Sequence, residues 1–552
     1  MATKAKTKPA GKRAAPKKMT AKSASKARKA APSKVAEPQA GGAFVGIIKS
    51  LRGLMVEVEI LGERPEEKEL LNVEGHPEVF LEVNFFKAGS AVCLNLSNSQ
   101  VMACGQKITR TRSKVSVPVG PKSLGRVFNA LGEPLDKGQA VTENRRPISE
   151  PTGTRSYRNS QKLELLETGL KVIDFLTPFV KGRKIGIVGG AGVGKTVLTT
   201  EMIHNVSRSS KSLAIYCGVG ERIREGNELY ETLKDTDVLK NTVMFFGQMD
   251  STPTIRSMVA PAAATAAEYF RDEEGKDILF FVDNIYRHIQ ALTELSTNLG
   301  LIPSEGGYSP LVFAELRRLQ DRLSSTEQGT ITSVQAVFIP ADDLSDPAVQ
   351  AISQQLDSVL VLDRSIAEQG IRPAVNLLKT TSSLLTPAIV GERHYQLAGK
   401  VQAIMQKYDS LKNIIAIVGE NELSPVDRAD YQNAKKLIEF FNQDFSVAEK
   451  FSGRPGQYFT LEQTLDGIEA ILQGKEVPGA KPADAKATDK PADGAPAAPA
   501  QGQTPAPAEG QKPAEGQKPA EGQAKTPDNK TEEESKKKKG ALSGLTKAFH
   551  RR

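Results

Sequence analysis

The stretch KIGIVGGAGVGKTVLTTEMI at 184–203 constrains the chain more than any other. Ile185, Ile187 and Val188 form a short apolar run of strand type, and Gly189 to Thr196 match GxxxxGK[ST]. Val197, Leu198, Met202, Ile203 and Val206 then recur with helical spacing. A strand that runs through a glycine loop into a helix directs backbone N–H groups at one point, where the helix dipole favours an anion. The backbone of Gly190, Gly192, Val193, Gly194 and Val197 would cradle phosphate. Lys195 would reach the β and γ phosphates, and the Thr196 hydroxyl would ligate Mg²⁺. ATP or ADP is the expected substrate.

Two more stretches gather around this loop. DILFFVDN reads as a buried strand ending in Asp283, a carboxylate placed to hold the metal's waters. GVGERIREG (218–226) follows the apolar run LAIYCGVG and packs four charges into what reads as a turn between glycines. Strand ends are where open α/β sheets place ligands. Glu221 would therefore face the γ phosphate and orient water, with Arg222 and Arg287 (in VDNIYRH) absorbing charge on the phosphoryl oxygens.

At 552 residues the chain exceeds one ordinary core. Residues 42–122 hold short runs (FVGIIKSL, LMVEVEIL, VFLEV) cut by Gly and Pro, which fits a small β-barrel. Residues 123–390 alternate strand-like and helical patterns, the mark of a mostly parallel α/β sheet. Residues 391–478 carry helical spacing and read as a bundle. Residues 1–41 form a basic arm and 479–552 a Pro/Ala/Gln-rich tail with PAEGQ repeated, and both compositions predict disorder.

Residues 1–36 hold twelve Lys or Arg and no acid, so the net charge of +9 leaves the remainder at 9 − 12 = −3. The globular part thus carries no basic signature for nucleic acid. No apolar run is long enough to span a bilayer. The three cysteines form no CxxC pair, which fits a reducing compartment.

With these residues in place, the sequence resembles the catalytic β subunit of the F-type rotary ATP synthase over roughly 42–478. The likeness runs through VPVGPKSLGRVFNALGEPLD, LLETGLKVIDFL, GGAGVGKTVL, GVGERIREGNELY, ITSVQAVFIPADDLSDP and FSVAEKFSG. The resemblance implies an N-terminal barrel, a central nucleotide domain and a C-terminal helical domain. It implies that Glu221 activates water, that Glu225 and Asp283 support the metal through water, and that Arg222, Asn284 and Arg287 contact phosphate. Adenine would lie against Phe338, Phe445 and Phe451. Related α subunits carry Gln at the Glu221 position and do not hydrolyse nucleotide, so the Glu implies a catalytic subunit.

The chain departs from that family at QMDSTPTIRS, at ENELSPVD (420–427, where an acidic lever motif is expected), at Ser383 and in both tails. Ser383 stands where homohexameric relatives carry an arginine finger. The finger is therefore expected from an α-type partner in an alternating hexamer, with a rotor stalk and a membrane ion-translocating sector beyond it. The expected location is the cytoplasmic face of the cell membrane, or the matrix side of an organelle inner membrane if the basic arm is a transit peptide. The alternatives are an ATP-hydrolysing paralogue driving another machine, and a homohexameric secretion or RNA-translocating ATPase.

Overall fold

The computed structural model describes residues 43–97, 101–149, 163–209, 212–236, 238–304, 306–340 and 343–475. The basic arm and the Pro/Ala/Gln-rich tail lie outside them.

Six antiparallel strands, β1 Phe44–Arg52, β2 Met55–Ile60, β3 Glu69–Val73, β4 His76–Lys87, β5 Ser90–Asn95 and β6 Lys107–Lys114, close into a barrel in the order β1-β2-β5-β4-β3-β6. Alternate residues point inward, and Val45, Val56, Val58, Leu71, Leu81 and Val83 are fully buried. Closure leaves no free edge. The barrel ends at Lys114. Val115, Val117 and Val119, which follow it, are buried in the core that the barrel residue Leu96 also joins.

The central sheet has eight strands: β7 Val127–Phe128, β8 Lys184–Gly189, β9 Leu213–Glu221, β10 Thr242–Gln248, β11 Ile278–Asp283, β12 Ile331–Phe338, β13 Ser358–Leu362 and β14 Thr381–Ser382. Their order is β14-β13-β8-β12-β11-β9-β10-β7, parallel throughout except for β14. Both faces are covered, which explains the continuous apolar runs. In β11, Ile278, Phe280 and Val282 join one core while Leu279 and Phe281 join the other.

Helices α1 Lys195–Ser209 and α2 Ile223–Asp235 contribute to one of these cores, and α3 Pro253–Asp272, α4 Ile285–Asn298 and α5 Pro310–Arg322 contribute to the other. Helix α3 is Ala-rich and apolar nearly all round, as a helix buried against a sheet and two neighbours must be. Beyond the sheet, α6 Glu392–Val418, α7 Pro425–Phe441 and α8 Leu461–Leu472 form the C-terminal bundle. His394 anchors the start of α6. Its ring stacks on Phe175 at 5.3 Å, and its Nε2 lies 2.7 Å from the Phe175 carbonyl.

Candidate active site

β8 ends at Gly189 and α1 begins at Lys195, so the glycine loop spans only the residues between them. Gly192 (φ 77°) and Gly194 (φ 88°) adopt the left-handed backbone that side chains disfavour. A Cβ at either would meet no neighbouring atom, so backbone conformation and not crowding demands glycine there. The Lys195 ammonium bonds the carbonyls of Gly189, at 2.8 Å, and of Gly190. It thus lies over the loop, where an anion's charge would be met. Val193 is buried against Leu362 and serves the core through its side chain; only its backbone faces the loop's task. Val197 is exposed on the first turn of α1.

Asp283 closes β11, one strand beyond β8's neighbour β12, and is buried. Its Oδ2 accepts from the Thr196 hydroxyl at 3.5 Å and from the Tyr216 hydroxyl at 3.3 Å. Burial raises the Asp283 carboxyl above its ordinary range, against the pull of Lys195 and Arg287. Tyr216 escaped the sequence reading. The signal for it was a hydroxyl-bearing side chain inside the otherwise apolar strand LAIYCGVG.

Glu221 is the last residue of β9 and α2 starts at Ile223, so the charged stretch is no loop but a strand-to-helix junction one residue long. Glu221 is buried, with Oε1 3.1 Å from Arg287 Nη1. Burial and the neighbouring Asp283 raise its carboxyl, Arg287 opposes the rise, and a hydrogen bond with Glu225 adds to it. Arg287 also bonds the Gly220 carbonyl. Gly220 (φ 66°) is held to glycine twice over, because a Cβ there would also meet Arg287 Cδ at 3.1 Å.

Arg222 does not join this cluster. Its side chain is 65 % exposed and its ion pair, 3.5 Å to Glu225, lies at the surface. The reason is strand alternation: the residue after Glu221 still has extended backbone and points the other way. Glu225 sits between the two, paired with Arg222 and bonded to Glu221. Asn284 caps α4; its Oδ1 accepts from Tyr286 N–H at 3.0 Å and Phe338 N–H at 3.2 Å, so it braces the strand ends.

Phe338 and Phe445, two of the three phenylalanines expected at the base, stand on different elements. Phe338 is in register with Gly189, and its ring lies 5.5 Å from the Lys195 ammonium and edge-on to Tyr286. Phe445 is buried with the C-terminal helices against α1. The Phe451 side chain lies outside the described residues. Beside Phe445, the Val447 N–H donates to Glu201 of α1 at 2.9 Å; this buried carboxylate was also missed, read as one more helix residue. Ser383 bonds the Asp357 carbonyl at 2.8 Å, and Lys379 pairs with Asp363 at 3.3 Å.

Mg²⁺ suits the donors present. Thr196 and Asp283 offer hard oxygen atoms 3.5 Å apart, the donor type that Mg²⁺ takes.

Two family models match parts of the chain. Residues 169–382 match the ATP synthase alpha/beta family, nucleotide-binding domain. Residues 385–477 match the C-terminal domain of V and A type ATP synthase, a different type from the one the motif set resembles. A phosphate loop, two buried carboxylates and an arginine at adjacent strand ends thus lie inside the first match, and the chain carries an ATP synthase alpha/beta nucleotide-binding domain followed by a V/A-type C-terminal domain.

Proposed function

We propose that this chain is the catalytic subunit of a rotary ATP synthase head, interconverting ADP plus phosphate and ATP. The observation that carries the reading is Glu221, a buried carboxyl at a strand end, held by Arg287 and facing the Asp283–Thr196 pair.

In hydrolysis, Glu221 accepts a proton from the attacking water as the water oxygen bonds to the γ phosphorus and the bond to the β–γ bridging oxygen breaks. Burial and Asp283 raise this carboxyl to about 9, so the base is its deprotonated form, which added positive charge at the phosphates would favour. Lys195 and the loop N–H groups hold the phosphates, and Arg287 neutralises charge beside Glu221. Thr196 and Asp283, with Glu225 through water, would hold Mg²⁺, which when bound neutralises phosphate charge. Synthesis runs the same contacts in reverse.

Ser383 offers no guanidinium, so the arginine finger comes from an α-type neighbour in an alternating hexamer. A finger is worth roughly a thousandfold or more in rate. The ENELSPVD tip supports a departure from the usual acidic lever: Glu420 pairs with Lys435 at 3.0 Å and Asp427 with Lys407 at 2.7 Å, so these acids are met within the chain. Ion coupling, through a rotor stalk and membrane sector at the cytoplasmic face of a membrane, belongs to the same reading. A second reading, supported by the C-terminal match, makes the chain a subunit of a V or A type machine.

The test is ATPase activity of the purified chain, alone and co-expressed with α-type partners of F and of V/A type, with the masses of the assemblies. Activity only in an alternating hexamer is expected, and the partner that restores it separates the two readings. Full activity from the chain alone would overturn the missing-finger argument.

A further inference from the structure

The strand β9, LAIYCGVGE, carries a single hydroxyl, on Tyr216. That side chain is 3 % exposed, and burying a hydroxyl costs free energy unless it finds a hydrogen-bond partner. Its partner is the Asp283 carboxylate. The hydroxyl donates to Oδ2 at 3.3 Å, closer than the 3.5 Å of the Thr196 hydroxyl on the same oxygen.

Sheet register brings the two residues together. Gly218 of β9 stands opposite Asp283 of β11 on one side and Phe246 of β10 on the other. Tyr216 lies two residues before Gly218 and so shares its face of the sheet. Its ring lies against Phe246, with centroids 5.5 Å apart, while its hydroxyl reaches Asp283. A Cβ at Gly218 would come within 2.6 Å of Phe246 and 3.4 Å of Tyr216, so the glycine is what leaves the ring its place.

A carboxylate that holds a metal, directly or through water, works only when its oxygens are correctly turned. Groups that hydrogen-bond such a ligand set its orientation, and their removal costs roughly 10- to 100-fold in metal affinity or activity. Thr196 reaches Oδ2 from α1 and Tyr216 reaches it from β9, so two elements hold the one carboxylate. Thr196 is itself an expected Mg²⁺ ligand. Tyr216 belongs to the apolar core beneath the site, on the side of Phe246 and Phe281.

We infer that Tyr216 is a positioning residue for Mg²⁺: its hydroxyl fixes the Asp283 carboxylate in the orientation in which Asp283, with Thr196, would hold the metal beside the phosphates. The inference rests on the nucleotide reading above and adds to it a residue that acts on the ion only through Asp283.

Tyr216→Phe keeps the ring on Phe246 and removes only the hydroxyl oxygen. The measurement is equilibrium dialysis of radiolabelled ADP against the full chain, in excess MgCl₂ and in EDTA, so no turnover is involved. Tyr216→Phe should weaken Mg-ADP binding about tenfold and leave metal-free ADP within about twofold of wild type. A residue that served packing alone would move both affinities or neither. Equal Mg-ADP affinity in wild type and Tyr216→Phe would therefore overturn the inference. So would an equal loss with and without the metal, or wild-type binding that does not depend on Mg²⁺. The expected metal-dependent loss, found in a chain that hydrolyses no ATP with any partner, would support Tyr216 in this role and sink the catalytic reading alone.

Discussion

Glu221→Gln separates catalysis from folding at one atom. The substitution keeps shape and burial and removes the proton acceptor. A positioned general base contributes about 10²–10⁴ in rate, so turnover should fall by that factor. Mg-ATP affinity should hold within about twofold, because Lys195, Thr196 and the glycine loop are untouched. Stability follows a different sign. The folded carboxyl is raised from its ordinary value of 4.5, chiefly by burial and then by Asp283. The folded state therefore favours the protonated acid, and wild-type stability falls as pH rises from about 4.5 toward the folded value. Gln carries no such proton, so the variant should gain relative stability with rising pH. Against that stands Arg287, which loses its 3.1 Å partner but keeps the Gly220 carbonyl, a loss of about 1–3 kcal/mol. The assay is single-turnover hydrolysis beside thermal melts at pH 5 and pH 8. Turnover within tenfold of wild type would remove Glu221 as the base. A melting difference that did not move toward Gln at the higher pH would refute the account of its burial.

Lys195→Ala should weaken nucleotide binding itself, read by equilibrium titration, because it removes the ammonium that lies over the loop carbonyls of Gly189 and Gly190. Gly220→Ala forces a side chain into left-handed backbone against Arg287; about 1–3 kcal/mol of stability should be lost, measured by denaturant unfolding, along with part of the turnover. Arg322→Met removes the guanidinium that meets both oxygens of the buried Glu268 carboxylate and should cost about 3–5 kcal/mol by the same measurement. His288 is held neutral, lowered from 6.5 to about 4, so its contribution is whole above pH 6.5 and is lost as pH falls toward 4. His288→Phe should remove that slope from the pH dependence of melting.

The phosphate loop and the two strand-end carboxylates were legible because each is a local pattern: an apolar run followed by an obligatory residue. The sheet was legible for a similar reason, since strands buried on both faces leave unbroken runs such as ILFFVD. What local reading missed is set by direction and not by composition. Arg222 and Glu221 are neighbours in sequence, yet one faces solvent and the other the core, and only the exact end of β9 decides which. Phe338 and Phe445 lie 107 residues apart, and only the fold shows that one closes a strand opposite Gly189 while the other is buried with the C-terminal helices. The link from Glu201 to Val447 joins residues 246 apart, and no spacing rule reports a pair of that kind.

The anchoring of α6 at His394 has a mechanical meaning. The helix runs 27 residues from that anchor, about 40 Å at 1.5 Å per residue. A tilt of only about 10° at its base would sweep its far end through about 7 Å. Through Val447, Glu201 ties the phosphate-loop helix to the same C-terminal region. A displacement of α1 therefore bears directly on the C-terminal region through that one hydrogen bond.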